Sequence, residues 1–177
     1  RLLADGEYRK GPVHATLSPS IDIQVSSNFE RLLFELSADD GDIVAKLMDD
    51  LDNDGVFKIS DAAMARMRGQ FDGRRASEDE ILACMAQVND TSGIQVDPHT
   101  AVGIIAGRAH RRDGNGAMVY LSTAHPAKFP EAMARAIGTP SVLPPRLADL
   151  LERTESFDVL PNDLAAVQAY VAERSQA

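Results

Sequence analysis

A single cysteine, Cys84, stands in 177 residues, which excludes an intrachain disulfide framework and fits a reducing, cytoplasmic compartment. Its neighbours Ile81, Leu82, Ala83 and Met85 are apolar, so the thiol is expected to be a small buried side chain rather than a nucleophile. Positive charge is also scarce. Eighteen Lys and Arg against 27 Asp and Glu leave a net charge of -9 and a pI near 4.8. That balance argues against a nucleic-acid or anionic-membrane partner, because phosphate contacts need clustered cations. The one basic cluster, Arg108, His110, Arg111 and Arg112, ends an apolar-periodic helix just before Asp113, Gly114 and Asn115, where cations complement the negative end of the helix dipole. No run of about 18 apolar residues is present, so no membrane-spanning helix is expected. The chain has no internal repeat, no low-complexity tract, no Gly-x-Ser-x-Gly, no phosphate loop and no His-x-x-x-His pair. Its length suits one domain with a sizeable core. Position 1 is Arg, and no cap or turn signal precedes Leu2-Leu3-Ala4, so the chain is expected to begin inside something longer.

Periodicity and capping signals organise what is there. From Gly11 to Val25 the residues read as extended, with Ile21, Ile23 and Val25 alternating against Asp22 and Gln24. Ser27-Asn28-Phe29-Glu30 reads as a capping box that opens a helix carrying Phe29, Leu32, Leu33 and Leu36 on one face. Between about Asp39 and Gly93 the pattern is wholly helical. Ile43, Val44, Leu47, Met48 and Leu51 mark one helix, and Met64, Met67 and Phe71 a second behind Ser60. Ser77 to Glu80 is a capping box for a third. Asp97-Pro98 supplies an N-cap and a first-position proline for a helix to about Arg112. Ala117-Met118-Val119-Tyr120-Leu121 reads as a strand, followed by a helix through Phe129, Met133, Ala136 and Ile137 that ends at Gly138. A proline-stiffened connection then leads to short helices around Leu147 and Leu164. The expected organisation is an α/β body over residues 1–38 and 96–140, a helical insertion over 39–95, and a helical tail over 141–177.

Three places have residues suited to chemistry. Asp50, Asp52, Asp54, Gly55 and Asp61 fall at positions 1, 3, 5, 6 and 12 of a calcium-loop template, where oxygen ligands at alternate positions converge on a hard cation. Against this, position 12 is the shorter Asp, position 9 is Lys58, and an acidic inter-helix turn with Asn53, Asp54 and Gly55 as turn formers explains the same residues. The Ser26-Ser27-Asn28 turn, with Arg31 one turn further on, offers free amides, hydroxyls and a cation suited to a phosphate. The hydroxyls there also suffice as helix caps, and Glu30 opposes an anion. The third place is Leu121 to Pro130, read as the carboxyl end of a strand, where open α/β sheets bind ligands. Ser122 and Thr123 are its candidates, with helix capping as their structural role. His125 and His99 are expected to be hydrogen-bonded structural residues.

Ala15 to Arg31, Asp97 to Gly103 and Leu121 to Pro130, taken in this order, resemble the C-terminal portion of bacterial and fungal threonine synthases, pyridoxal-phosphate enzymes of the tryptophan synthase β-like family. The resemblance covers most of the chain. It implies part of a pyridoxal-phosphate-binding open-sheet domain with a helical insertion. The implied reaction converts O-phosphohomoserine and water into threonine and phosphate. It implies that the Thr123 hydroxyl, with Ser122 beside it, faces the cofactor's pyridine nitrogen, and that Ser27, Asn28 and Arg31 hold the substrate phosphate. The family's Schiff-base lysine lies in its N-terminal half, so none of Lys10, Lys46, Lys58 and Lys128 is expected to be that residue, and the segment alone is expected to be inactive. An N-terminal part of the same enzyme is then the implied partner. The family's helical segment has no metal role, which leaves the calcium reading at Asp50 to Asp61 as the alternative.

Overall fold

Capping chemistry places most of the helices. A computed structural model describes residues 2–112 and 116–175, so the expected helix stop at Asp113 to Asn115 lies outside the described residues. The chain divides into two units, Arg1–Val142 and Leu143–Ala177. The first begins with α1 (Leu2–Asp5), β1 (Glu7–Arg9), α2 (Phe29–Leu36), α3 (Gly41–Asp54) and β2 (Val56–Lys58). It continues with α4 (Asp61–Gln70), α5 (Glu78–Ser92), α6 (Pro98–Ala109) and α7 (Pro130–Ile137). The Asp40 carboxylate caps α3 by accepting from the Asp42 and Ile43 amides. Ser60 caps α4. At α5 the Ser77 hydroxyl accepts from the Glu80 amide while the Glu80 carboxylate accepts from the Ser77 amide, a complete capping box. That backbone bond, with Arg74 alongside, holds the Glu80 carboxyl below its ordinary range. Gly138, at φ 79°, closes α7 in the left-handed conformation.

Two apolar clusters sit inside this unit. In the first, Leu33 and Leu36 of α2, Leu51 of α3, Phe57 of β2, and Ala63, Met64 and Met67 of α4 are buried. Each large side chain among them contributes about 1.5–3 kcal/mol by leaving water. The second joins Ile81, Cys84 and Met85 of α5, Ala101 and Ile104 of α6, and Ala132 and Met133 of α7. The second unit carries α8 (Leu164–Arg174), capped by Asp163, and short turns at Pro145–Leu147 and Leu150–Glu152. None of its described residues is buried.

Five expectations need correction. Residues 11–25 form no strand: Thr16 donates through its amide and hydroxyl to the Asp22 carboxylate, both at 2.7 Å, closing a loop around the turn Pro19–Ile21. Ile21 and Ile23 are exposed, so their alternation buries nothing. Ala117 to Ser122 is likewise without strand structure, since no described residue pairs with it; among the described residues the one sheet is the antiparallel pair of β1 and β2. That pair sets Tyr8 against Phe57 and interrupts the block read as wholly helical. The capping box at Ser27 does not form. Asn28, before the first residue of α2, has helical backbone angles and makes no side-chain cap bond, and the Phe29 and Glu30 amides donate instead to the carbonyls of Ser26 and Ser27. Finally, the calcium template is not a loop. Asp50, Asp52 and Asp54 lie within α3, where alternate side chains diverge by about 200° rather than converging on an ion. Asp50 pairs with Lys46 at 2.9 Å and Asp52 with Lys10 at 2.7 Å. Asp61 opens α4 beyond the paired β2. Among the described residues no group of three or more acids, histidines or cysteines is arranged to hold a metal.

Two glycines of α6 give a stability test with opposite signs. Gly103 has open space where a Cβ would go, so Gly103→Ala should gain about 0.5–1 kcal/mol of helix propensity. A Cβ at Gly107 would meet Cε1 of Tyr120 at 2.6 Å. Gly107→Ala should therefore lose that gain and about 1 kcal/mol more, because Tyr120 must give up its place in the second cluster. Urea midpoints for the two variants should move in opposite directions; equal shifts would contradict this packing.

Candidate functional site

The residue that organises the candidate site is Asp97, the cap of α6. Its carboxylate is wholly buried. Oδ1 accepts from the His99 amide at 2.9 Å and from His99 Nδ1 at 2.8 Å, and Oδ2 accepts from the Thr100 hydroxyl. Each bond continues outward. Thr100 Oγ1 accepts the Thr123 amide at 3.3 Å. His99 Nε2 accepts the Ser20 amide at 3.1 Å, which makes Nδ1 the protonated nitrogen of the ring. The His99 ring packs on Phe129 with centroids 4.8 Å apart. One helix N-terminus thus holds the loop around Ser20 and the turn from Ser122 to Phe129.

In that turn the expected cap at Ser122 or Thr123 belongs to His125, whose Nδ1 accepts the Ala127 amide at 3.2 Å and starts the turn Pro126–Lys128. The structural role expected for His125 and His99 is what the geometry gives them. The Ser122 and Thr123 side chains are exposed, so their hydroxyls are free to face a ligand while the Thr123 backbone is held. Lys128 lies 5.9 Å from the Phe129 ring centre.

Ser27, Asn28 and Arg31 form a separate group, also exposed. Tyr8 positions it: stacked on Phe57 at 5.2 Å and on Phe29 at 6.1 Å, it donates its hydroxyl to the Gln24 carbonyl and accepts the Ser26 amide. Arg31 borders a groove of 630 Å³ whose rim also holds Glu30, Glu35 and Asp49, an acidic setting for an anion ligand. Among the described residues no hydrogen bond joins this group to the Thr123 turn.

Cys84 is buried against α6, its thiol 3.8 Å from the Ala101 carbonyl, and burial pushes its pKa up despite the pull of Arg108. A thiol so placed is a packing residue, as expected. Of the basic cluster, Arg108 stands in the last turn of α6 and His110 at its C-cap, as expected; Arg108 also bonds Gln87 at 2.8 Å, and His110 and Arg112 approach Asp72 at 3.8 and 3.4 Å. No helix among the described residues is long and apolar enough to cross a membrane.

Residues 100–171 match the family model described as threonine synthase, C-terminal. The chain is 46% identical over 174 residues to the threonine synthase of Pseudomonas aeruginosa, covering 98% of itself and 37% of that protein. This chain belongs to the threonine synthase family. Its fold is theirs as well. The crystal structure of pyridoxal-phosphate-bound threonine synthase from Brucella melitensis superposes with a TM-score of 0.86 at 44% identity, over 100% of this chain and 38% of that one. The yeast threonine synthase structure gives 0.80 at 30% identity, over 99% of this chain and 40% of its own. The α/β expectation therefore holds for the threonine synthase fold in which the chain takes part, while its own described share is helices and one short antiparallel pair. The chain spans little more than a third of the length of the threonine synthases it matches.

Asp97, Thr100, Ser20 and Tyr8 were not expected as site-building residues. A signal for the first two was present: Asp-Pro-His-Thr puts a histidine and a hydroxyl at the second and third helical positions, both within reach of a cap carboxylate.

Proposed function

We propose that the chain is the C-terminal part of a threonine synthase that converts O-phosphohomoserine and water into threonine and phosphate with pyridoxal phosphate. The Thr123 turn carries the reading. It presents an exposed hydroxyl on a backbone fixed by a buried network, inside the segment that matches the family model. The donor set fits the nitrogen end of a pyridine ring. Thr123 and Ser122 are neutral, and the one carboxylate in the network, Asp97, has both oxygens engaged. A hydroxyl facing the ring nitrogen does not stabilise a pyridinium, so it tunes which substrate bond is weakened. Bound pyridoxal phosphate supplies the electron sink needed for loss of the α-proton, departure of the γ-phosphate and addition of water at the β-carbon.

The chain's own residues bind and orient. Thr123, with Ser122 beside it, holds the ring edge. Ser27, Asn28 and Arg31 take the substrate phosphate at the start of α2, on a turn whose Ser26 backbone Tyr8 holds, and are opposed by the acids around Arg31. The lysine that bonds the cofactor belongs to the N-terminal part of the enzyme. Lys10 and Lys46 are committed to Asp52 and Asp50, Lys58 lies on β2, and Lys128 lies over Phe129. The buried free thiol of Cys84 supports a reducing compartment, and we place the enzyme in the cytoplasm.

The full-length protein should release phosphate and threonine in equal amounts from O-phosphohomoserine, and purified holoenzyme that releases no phosphate would refute the reading. Thr123→Val should lower kcat/KM about tenfold by deleting one hydrogen bond, and Thr123→Ser should restore it. The 177-residue chain alone, mixed with pyridoxal phosphate, should show no lysine-bound cofactor absorbance; a clear band would overturn the account of its lysines.

A further inference from the structure

A helix cap needs one hydrogen bond and gains about 1 kcal/mol while remaining exposed to water. Asp97 exceeds that role. It is 0% exposed, a placement that costs a carboxylate several kcal/mol in desolvation unless its hydrogen bonds are complete. Besides the His99 amide it takes the His99 ring and the Thr100 hydroxyl. Both extra partners pass a bond on to segments with little regular structure to hold them, the Ser20 loop and the Thr123 turn. These segments are 79 and 23 residues from their anchors in sequence. Each presents an exposed hydroxyl, Ser20 on one and Ser122 and Thr123 on the other.

We propose that Asp97 is a positioning residue for the site, registering the Thr123 turn through Thr100 and the Ser20 loop through His99. One buried carboxylate then sets where both hydroxyl-bearing segments stand relative to α6. A single displacement of Asp97 moves the two together, which separate anchors do not impose. The inference rests on the reading of Thr123 as the residue that meets the cofactor ring. It adds the residues that hold Thr123 in place.

The test uses the full-length enzyme with its cofactor removed and pyridoxal phosphate as the ligand added back. Thr100→Val keeps the shape of the side chain and the cap bond to His99, but removes the link from Asp97 to Thr123. Thr123 amide exchange in the cofactor-free protein should rise about tenfold, matching the loss of a net bond of about 1 kcal/mol, and the dissociation constant of pyridoxal phosphate should rise by a similar factor. Thr100→Ser should keep both at the parent values. His99→Phe, which retains the ring contact with Phe129, should raise Ser20 amide exchange by the same order. Because Thr100 acts through Thr123, Thr100→Val combined with Thr123→Val should bind the cofactor no more weakly than Thr123→Val alone. Parent-level exchange in Thr100→Val overturns the proposal, as does a cofactor effect that adds to that of Thr123→Val. If Thr123→Val leaves cofactor affinity unchanged while Thr100→Val still frees the Thr123 amide, the assignment of Thr123 to the ring fails and the registration stands. Thr100→Ala answers the same questions if the valine variant does not fold.

Discussion

Asp97→Ala is expected to destabilise the protein by about 3–5 kcal/mol, because three donors lose a buried charged acceptor and each unsatisfied buried group costs about 1–3 kcal/mol. The donors cannot simply turn to water. His99 is almost as buried as the carboxylate, with 7% of its side chain accessible, and Thr100 is 4% exposed. Asp97→Asn should cost less, about 1–2 kcal/mol, since its carbonyl oxygen still serves the cap while its amide group faces the Thr100 hydroxyl as a donor. The Thr100 hydroxyl, which now donates to Oδ2, would have to turn its hydrogen away and accept from the new amide, leaving a buried O–H without its acceptor. A surface control fixes the scale. Asp149 bonds Arg153 at 2.7 Å with both side chains exposed, and Asp149→Ala should change stability by less than about 1 kcal/mol. Urea denaturation separates these outcomes. If Asp97→Ala lies as near the parent as Asp149→Ala does, the buried network is not what holds the start of α6.

The parts of this fold that were legible in the sequence are those set by neighbours within a turn of helix. Ser60, the Ser77 and Glu80 pair, Asp97-Pro98 and Gly138 each mark a helix end by a bond made locally, and each is found where its chemistry put it. Elements set by distant partners were missed or misread. Glu7–Arg9 and Val56–Lys58 are three residues each, too short for alternation to register, and form because the Tyr8 ring stacks on Phe57 across 49 positions of chain. Ala117 to Leu121 carries a strand-like apolar run, but Val119 and Leu121 are 77% and 78% exposed and only the Tyr120 side chain packs into the second cluster. A ladder needs a second strand, and composition cannot supply one. The same limit applied to the acidic template at Asp50: spacing alone cannot distinguish a loop that folds its carboxylates inward from a helix that spreads them. Thr123 was singled out from its place in a motif, whereas the buried network beneath it depends on a burial that no local pattern reports.

Met133→Ala should cost about 2–5 kcal/mol, the range for truncating a buried methionine to alanine when the surroundings cannot fully collapse. Met133 is 1% exposed and, with Ala132, is what α7 buries in the second cluster. The helix is eight residues long, too short to hold itself together without packing. Its attachment to α5 therefore rests on this side chain and on the flanking Phe129, Ala136 and Ile137. Loss here should reach the candidate site, because α7 follows the turn Pro126–Lys128 directly and Phe129 packs on His99. Amide exchange should consequently rise at Ala127, Lys128 and Phe129 as well as within α7. At Val119, exposed and outside the cluster, truncation to alanine should change stability by less than about 0.5 kcal/mol. Thermal melts give the ordering, and exchange gives the location. Were Met133→Ala to lower stability without loosening residues 127–129, α7 would be packed independently of the turn, and the second cluster would have no part in holding Thr123 where it stands.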